Sequence, residues 1–227
     1  MKYHDIFNTT LEAIESRQWN PYLGISINNK AFTPENIAAF TRWGIEHCNT
    51  RFALLIVDVL QRINNEVFGK MKIEKAVNKA FQQADVILES CRDAVEKLPA
   101  DQRERVVILE WPDIVDSVYT HNTRLVFDLF ENNATFKNYI LASVTNNLGN
   151  IVTRLNQDQL HTICGYVLYE VSEFLCGFVH QGVHYNLCVY PGSITALTRD
   201  LLRQDCFQAA YAQFHNYGPV AHAELYI

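Results

Sequence analysis

The 227-residue sequence lacks the patterns that announce many functional classes. No stretch approaches the roughly 18 consecutive apolar residues of a membrane-spanning helix, and a long apolar run such as Phe52 to Val57 has the length of a buried strand. Met1 to Asn20 carries Asp5, Glu12, Glu15 and Arg17 and no apolar run of signal-peptide length, so the chain reads as soluble and cytoplasmic. Glycine and proline are scarce, 9 and 6, which excludes collagen-like chains, and 48% hydrophobic residues exclude disorder. The 6 cysteines (Cys48, Cys91, Cys164, Cys176, Cys188, Cys206) include no C-x-x-C pair, and the 8 histidines no H-E-x-x-H. They read as reduced core thiols and scattered imidazoles, with no metal site expected. A basic surplus is missing too: 19 Lys+Arg stand against 25 Asp+Glu, a net charge of -6. That balance counts against a broad polyanion binder, and neither DNA nor a membrane is expected as a partner.

What is present is an alternation of strand and helix signals. Tyr22 to Ile27 reads as a first buried strand; Thr33 then caps a helix, with Pro34 at its first position, Glu35 at its positive end and Ile37 to His47 as its body. Phe52 to Val59 is a nearly continuous apolar run, the mark of a strand buried on both faces. An amphipathic helix follows from about Lys72 to Leu98, then a strand from Arg105 to Trp111 closed by Pro112. This order predicts an α/β fold: a doubly wound, mostly parallel sheet with helices on both faces. Ser117 to Phe178 is mainly helical, with breaks expected at Asn132-Asn133, Asn146-Asn147 and Gly149-Asn150. A strand from Tyr185 to Tyr190, a helix from Ile194 to about Asp205 and a closing strand near Pro219 to Ile227 complete the reading. No Pro/Gly/Ser-rich linker and no repeat divides the chain, so a single domain spanning 1–227 is expected, long enough to bury roughly 70% of its unfolded surface.

A doubly wound sheet invites a nucleotide, yet neither G-x-G-x-x-G nor G-x-x-x-x-G-K-[ST] occurs. The serine-hydrolase elbow G-x-S-x-G is broken at Asn28. Three other features bear on chemistry. Ser26 lies at the C-terminal end of the first expected strand, the edge where open α/β sheets bind ligands; a serine there is structural or nucleophilic, and position alone does not decide. In the helix from about Gln157, Tyr166 and Glu170 lie one turn apart beside an apolar arc of Ile163, Val167, Phe174 and Phe178. Glu170 is therefore either paired structurally or has its pKa raised toward that of a general acid or base. Tyr190, before Pro191, ends an apolar strand and reads as a rim aromatic or a site residue.

Together these residues resemble the cyclodipeptide synthases: Gly24-Ile25-Ser26 with Asn29 and Phe32, Trp43 in the next helix, Tyr166-Val167-Leu168-Tyr169-Glu170, and Tyr190-Pro191. The resemblance runs from Tyr22 to Pro191. It implies a Rossmann-like fold similar to class Ic aminoacyl-tRNA synthetases, two aminoacyl-tRNAs as substrates, a cyclic dipeptide as product, and no cofactor. It also implies Ser26 as the nucleophile that accepts the first aminoacyl group, Tyr166 and Glu170 as the holders of its amino group, and Tyr190 as the tyrosine beside the nucleophile. In the expected sequence of steps, the amine of the second aminoacyl-tRNA attacks the acyl-enzyme and the dipeptidyl ester cyclises. Pro191 resembles the Tyr-Pro branch of the family, whereas Asn29 is more typical of the other branch. Tyr22, Gly24, Asn29 and Cys188 are candidate substrate-binding positions.

Between Arg62 and Lys79 five basic residues (Arg62, Lys70, Lys72, Lys75, Lys79) face two acidic ones, a local surplus in an acidic chain. They are either a solvated helix face or a grip on tRNA phosphates. A monomer is the default. Two further readings are a catalytically silent tRNA- or ligand-binding protein of the same fold, and a Ser-dependent aminoacyl-tRNA hydrolase or acyltransferase.

Overall fold

The computed structural model describes residues 1–192, 195–203 and 212–226. Its elements, in chain order, are β1 (Lys2–Phe7), α1 (Leu11–Glu15), β2 (Pro21–Ser26), α2 (Pro34–His47), β3 (Phe52–Val57), α3 (Gln61–Val67), α4 (Ile73–Glu96), α5 (Ala100–Arg103), β4 (Val106–Glu110), α6 (Ser117–Asn132), α7 (Ala134–Leu148), α8 (Gln157–Cys176), β5 (Phe178–His180), β6 (Val183–Tyr185), β7 (Leu187–Pro191), α9 (Ala196–Arg203) and β8 (Ala221–Tyr226). Six strands form one sheet in the order β1-β8-β7-β2-β3-β4, parallel except for the β1 edge. Strand order reverses at β2, whose neighbours are β3 on one side and β7 on the other. This is the doubly wound arrangement, and it leaves a crevice at the C-terminal end of β2.

β3 is buried along its whole length, which is why its sequence is a continuous apolar run rather than an alternating one. On one face Leu23, Ile25, Leu54, Ile56 and Val189 pack against Ile37 and Phe40 of α2 and Ala84 and Cys91 of α4. On the other, Tyr22, Ala53, Leu55, Val57 and Cys188 meet Trp111, Ile114, Tyr119, Phe178 and Tyr185. The helices α6, α7 and α8 form a second core with α3 and α9 through Val126, Phe130, Ile140, Val144, Ile163, Leu168 and Leu197.

The α2 signals act as read: Thr33 accepts the backbone N–H of Asn36 at 3.2 Å, with Pro34 in the first turn. Other boundaries differ. The run Tyr185 to Tyr190 is not one strand. Tyr185 pairs with Phe178 in a β5–β6 hairpin, Asn186 turns to donate its backbone N–H to the Asn20 carbonyl at 3.0 Å, and β7 begins at Leu187. Asn146 and Asn147 lie inside α7, which ends at Gly149; Asn133, by contrast, does separate α6 from α7. α8 stops at Cys176, so Phe178 belongs to β5 and not to the helix's apolar arc. The second strand of the expectation, Phe52 to Val59, ends at Val57. β1, α1, α3, α5 and β5 are additions to the elements expected. β1 escapes a periodicity reading because it is an edge strand with only Phe7 buried. The expected ends of the helix over Ile194 to Asp205 lie outside the described residues, as do Cys206 and Ile227. No helix among the described residues is long and apolar enough to cross a membrane.

Gly177 ends α8 at φ 60°, and a Cβ there would collide with the backbone oxygen of Tyr185. Both effects require glycine. Gly177→Ala is expected to cost at least about 2 kcal/mol, read as a lower urea midpoint at unchanged slope.

Candidate active site

β2 alternates its side chains across the sheet: Leu23 and Ile25 enter the α2/α4 core, while Tyr22, Gly24 and Ser26 face the side covered by α8. After Ser26 the chain turns sharply. Asn28 adopts φ 68°, the Asn29 backbone N–H donates to the Ser26 carbonyl at 3.3 Å, and the Phe32 N–H donates to the Asn29 carbonyl at 3.1 Å. This turn orients Asn29. Its Oδ1 accepts the Ala31 N–H at 3.0 Å, so its Nδ2 faces Tyr190 and donates to that hydroxyl at 2.9 Å. Tyr190, in register beyond Val189 on β7, also packs edge-on against Phe32 and makes a side-chain polar contact with Ser26.

α8 supplies the opposing wall. Asn156 starts it with a capping box in which Asn156 and Gln159 satisfy each other's backbone N–H groups, and Gly177 stops it. Tyr166 and Glu170 lie one turn apart on the face toward the sheet, and the Tyr166 hydroxyl contacts both the Glu170 carboxyl and Ser26. Ser26, Tyr166, Glu170, Tyr190 and Asn29 thus come together from three elements distant in sequence. Burial, the nearby Glu170 charge and the Glu170 contact hold the Tyr166 hydroxyl well above its ordinary value, so Tyr166 stays a proton donor. Burial raises Tyr190 as well, against the pull of the Asn29 amide.

Glu173 is a further acid that the sequence reading passed over. It lies on the same helix face within a roughly 60° arc of Tyr166 and Glu170, so the helical periodicity that drew attention to Glu170 also marks it. It is only 4% exposed and contacts the Tyr22 hydroxyl. Burial pushes both carboxyls up to about 8; the charge of Glu173 adds to the shift at Glu170, while the Tyr166 and Tyr22 contacts pull each back in part. Cys188, paired in register with Tyr22, is held as a thiol by burial and by Glu173. Tyr22 and Cys188 therefore lie deep in the wall rather than at its mouth, and Gly24 lies between Tyr22 and Ser26 with nothing within 4 Å of the position a Cβ would take.

Two cavities meet at this cluster, sharing Ser26, Asn147, Val167, Glu170 and Tyr190. One, of about 150 Å³, runs toward α9 between Phe174, Leu197, Thr198 and Leu201. The other, of about 330 Å³, runs toward Ile27, Asn64, Val144 and Ile163. Each has room for a group of amino-acid size. Glu170 lines both cavities and Tyr166 the second. Asn147 carried no signal in the sequence beyond an apparent helix break.

The basic residues divide. Arg62 is tied to Glu66 at 2.7 Å. Lys70 is exposed in the turn before α4 at φ 50°, and Lys72, Lys75 and Lys79 are exposed on the first turns of α4. That end of α4 is held near the cleft by Asn65, which donates to the Ala76 carbonyl at 3.2 Å and to Gln83 at 3.0 Å. Gln83 in turn reaches Asn28, two residues past Ser26, at 3.4 Å.

Comparison with known proteins agrees with this architecture. A family model described as cyclodipeptide synthase matches residues 9–217. A search of curated sequences finds no match. Among solved structures, a cyclodipeptide synthase from Bacillus thermoamylovorans superposes with a TM-score of 0.74 at 19% identity, covering 95% of this chain and 91% of that one. A Mycobacterium tuberculosis protein, described as showing that cyclodipeptide synthetases are related to type I tRNA synthetases, gives 0.70 at 15% identity over 93% and 87%. A cyclodipeptide synthase from Candidatus Glomeribacter gigasporarum bound to Phe-tRNAPhe gives 0.60 at 14% identity over 90% and 87%.

The raised carboxyls couple stability to pH. In an unfolded chain each ionises near 4.5, in the folded site near 8, so between those values the folded state keeps protons that the unfolded state has lost. Their stabilisation is complete below the lower value and disappears as pH rises through the upper one. The melting temperature is expected to fall across this window, and Glu173→Gln, which cannot ionise, to flatten the fall by several kcal/mol, on the order of 10 °C. Equal slopes for the two proteins in a pH series of thermal melts would contradict this.

Proposed function

This chain belongs to the cyclodipeptide synthase family, and from that premise we propose that it joins two aminoacyl groups, delivered by two aminoacyl-tRNAs, into a 2,5-diketopiperazine through an ester on Ser26. We take it to act as a monomeric, single catalytic domain spanning 1–227 in the cytoplasm. The observation that carries the reading is the meeting of Ser26, Tyr166, Glu170, Tyr190 and Asn29 where two cavities of amino-acid size join.

An aminoacyl-tRNA is already an activated ester, so transfer to a serine hydroxyl is nearly balanced in energy and the site has to supply position and proton transfer. In the proposed first step Ser26 Oγ attacks the ester carbonyl, the bond to the ribose oxygen breaks, and the serine proton leaves with that oxygen. Glu170 and Tyr166 then hold the α-amine of the Ser26-bound residue, because they border the serine itself. This supports an order of attack opposite to the one expected from sequence. The bound ammonium holds Glu170 ionised and passes it a proton; the freed amine attacks the second aminoacyl ester, a new amide forms, the bond to the second ribose oxygen breaks, and that oxygen leaves with the amine's proton. The free amine of the resulting dipeptidyl ester closes on the Ser26 carbonyl and returns the hydroxyl. Tyr190 and Asn29 fix the position of Ser26 and donate toward the carbonyl oxygen as it gains charge.

The Asn29–Tyr190 hydrogen bond joins the two positions at which the family's branches differ, and we assign the chain to the Tyr-Pro branch with an asparagine in contact with its tyrosine. Lys70, Lys72, Lys75 and Lys79 form the tRNA-facing rim in this reading, with Arg62 committed to Glu66.

Incubation of the purified protein with charged tRNAs and mass analysis of the products tests the reading: cyclic dipeptides support it, free amino acids alone favour a hydrolase, and neither favours a silent binder. Ser26→Ala is expected to lose covalent labelling by aminoacyl-tRNA and to cut product formation by roughly a thousandfold or more. Persistent labelling would remove Ser26 as the nucleophile. Exchanging Lys72, Lys75 and Lys79 together for Glu is expected to weaken apparent tRNA affinity roughly tenfold or more at physiological salt while thermal melts are kept.

A further inference from the structure

Among the described residues two glutamates are buried, and the fold treats them differently. Glu224 on β8, fully enclosed, is met by Arg199 of α9 at 3.3 Å and by His4 at 3.7 Å. Glu173 on α8 has no such answer. Among the described residues its Oε1 has no hydrogen-bond partner, and what acts on its carboxyl is its own burial, opposed by the Tyr22 hydroxyl. The neighbours that sense its charge are Glu170, Tyr22, Tyr119 and Cys188, all acids, hydroxyls or thiols. A buried acceptor left unmatched is costly, and a charged one more so; beside open space, such an oxygen is suited to receive a donor.

The surrounding geometry leads from that oxygen to the nucleophile. Tyr22, Gly24 and Ser26 form one row on the β2 face toward α8, and each two-residue step along the row is roughly 6.6 Å. The middle position is bare, with open space where a Cβ would stand. Glu173 touches Tyr22 at the far end of the row, and Glu170, one turn earlier on the same helix face, stands at the near end beside the Ser26 and Tyr166 hydroxyls. Besides the two cavities, the bare Gly24 position leaves a residue esterified to Ser26, with its α-amine at Glu170, a way to extend its side chain inward toward Tyr22, Cys188 and the free oxygen of Glu173. Glu173 stands three residues, about 4.5 Å of helix rise, beyond Glu170, a step that a long or heteroaromatic side chain with its donor at the tip spans.

We propose that Glu173 selects the first aminoacyl group, the one carried on Ser26, for a side chain ending in a nitrogen donor: lysine, arginine, histidine or tryptophan. The inference rests on the synthase reading and adds to it the class of the first substrate. Without substrate the carboxyl holds its proton; a basic side chain stabilises the ionised form in the low-dielectric wall, and an indole or imidazole N–H satisfies Oε1 directly. An aliphatic side chain leaves the oxygen unmatched, and an acidic one sets two carboxyls together. A site built to hydrogen-bond a substrate group discriminates strongly against substrates without it, because its own polar atom is then stranded.

The test presents the full-length protein with each aminoacyl-tRNA singly and reads the mass added to Ser26. Acylation by a tRNA charged with one of the nitrogen-donor residues is expected to exceed that by leucyl-, methionyl- or glutamyl-tRNA by roughly tenfold or more. Glu173→Leu is expected to reverse the order in favour of aliphatic residues. Glu173→Gln, of the same shape and without charge, keeps the fold should the leucine variant fail to, and is expected to lose basic substrates while retaining the neutral donors in part. A wild-type preference for aliphatic or acidic residues, or a preference unchanged in both variants, overturns the assignment while leaving the synthase reading intact. No acylation and no cyclic dipeptide with any charged tRNA overturns the synthase reading, and this inference with it.

Discussion

Two carboxyl groups, Glu170 and Glu173, are pressed against the sheet by a single helix, and among the described residues no cation acts on them. Ionised carboxylates in such a setting are costly, so the pair holds protons at a pH where exposed acids have none. The arrangement lasts only if α8 cannot turn or slide. Its register is fixed by the capping box at Asn156, by the glycine stop at Gly177, by the Tyr119 hydroxyl donating to the Tyr169 carbonyl at 3.1 Å, and by the packing of Ile163, Leu168 and Val171 in the helical core. The rigidity of the helix and the acidity of the site are in this sense one property.

The same constraint relates the site to its substrates. A carboxyl that burial keeps protonated beside a serine ionises as an ammonium group arrives, since the cation offsets the cost of its charge. The overall charge of -6 would seem to oppose contact with RNA, but charge averaged over a chain says little about one rim. The exposed lysines occupy the end of α4 that Asn65 and Gln83 tie to the turn after Ser26, so the local surplus and the proposed chemistry share an edge of the sheet.

Where the sequence was hard to read, the reasons are physical. The Tyr185 to Tyr190 run looked like one strand because apolar character does not reveal that Asn186 spends its backbone hydrogen bond on Asn20. The Asn146-Asn147 pair looked like a break because asparagine is a poor helix former, yet tertiary packing carried α7 through it and set Asn147 at the cleft. Glu173 was within reach of the periodicity that marked Glu170. Its partnerless state was not, because that depends on which residues β2 and β7 bring opposite it.

The sequence by itself determined the layer architecture and the family. A fully apolar β3, a capped α2 and the Gly-Ile-Ser, Tyr-x-x-x-Glu and Tyr-Pro groups are local patterns, written in side-chain type and spacing. The tertiary structure alone decided what those groups meet: Asn29 turned onto Tyr190, Arg62 taken up by Glu66, a bare glycine left between the serine and a buried acid. Partners distant in the chain are chosen by strand order and helix docking, and the pKa of a carboxyl or the emptiness above a glycine exists only once those choices have been made.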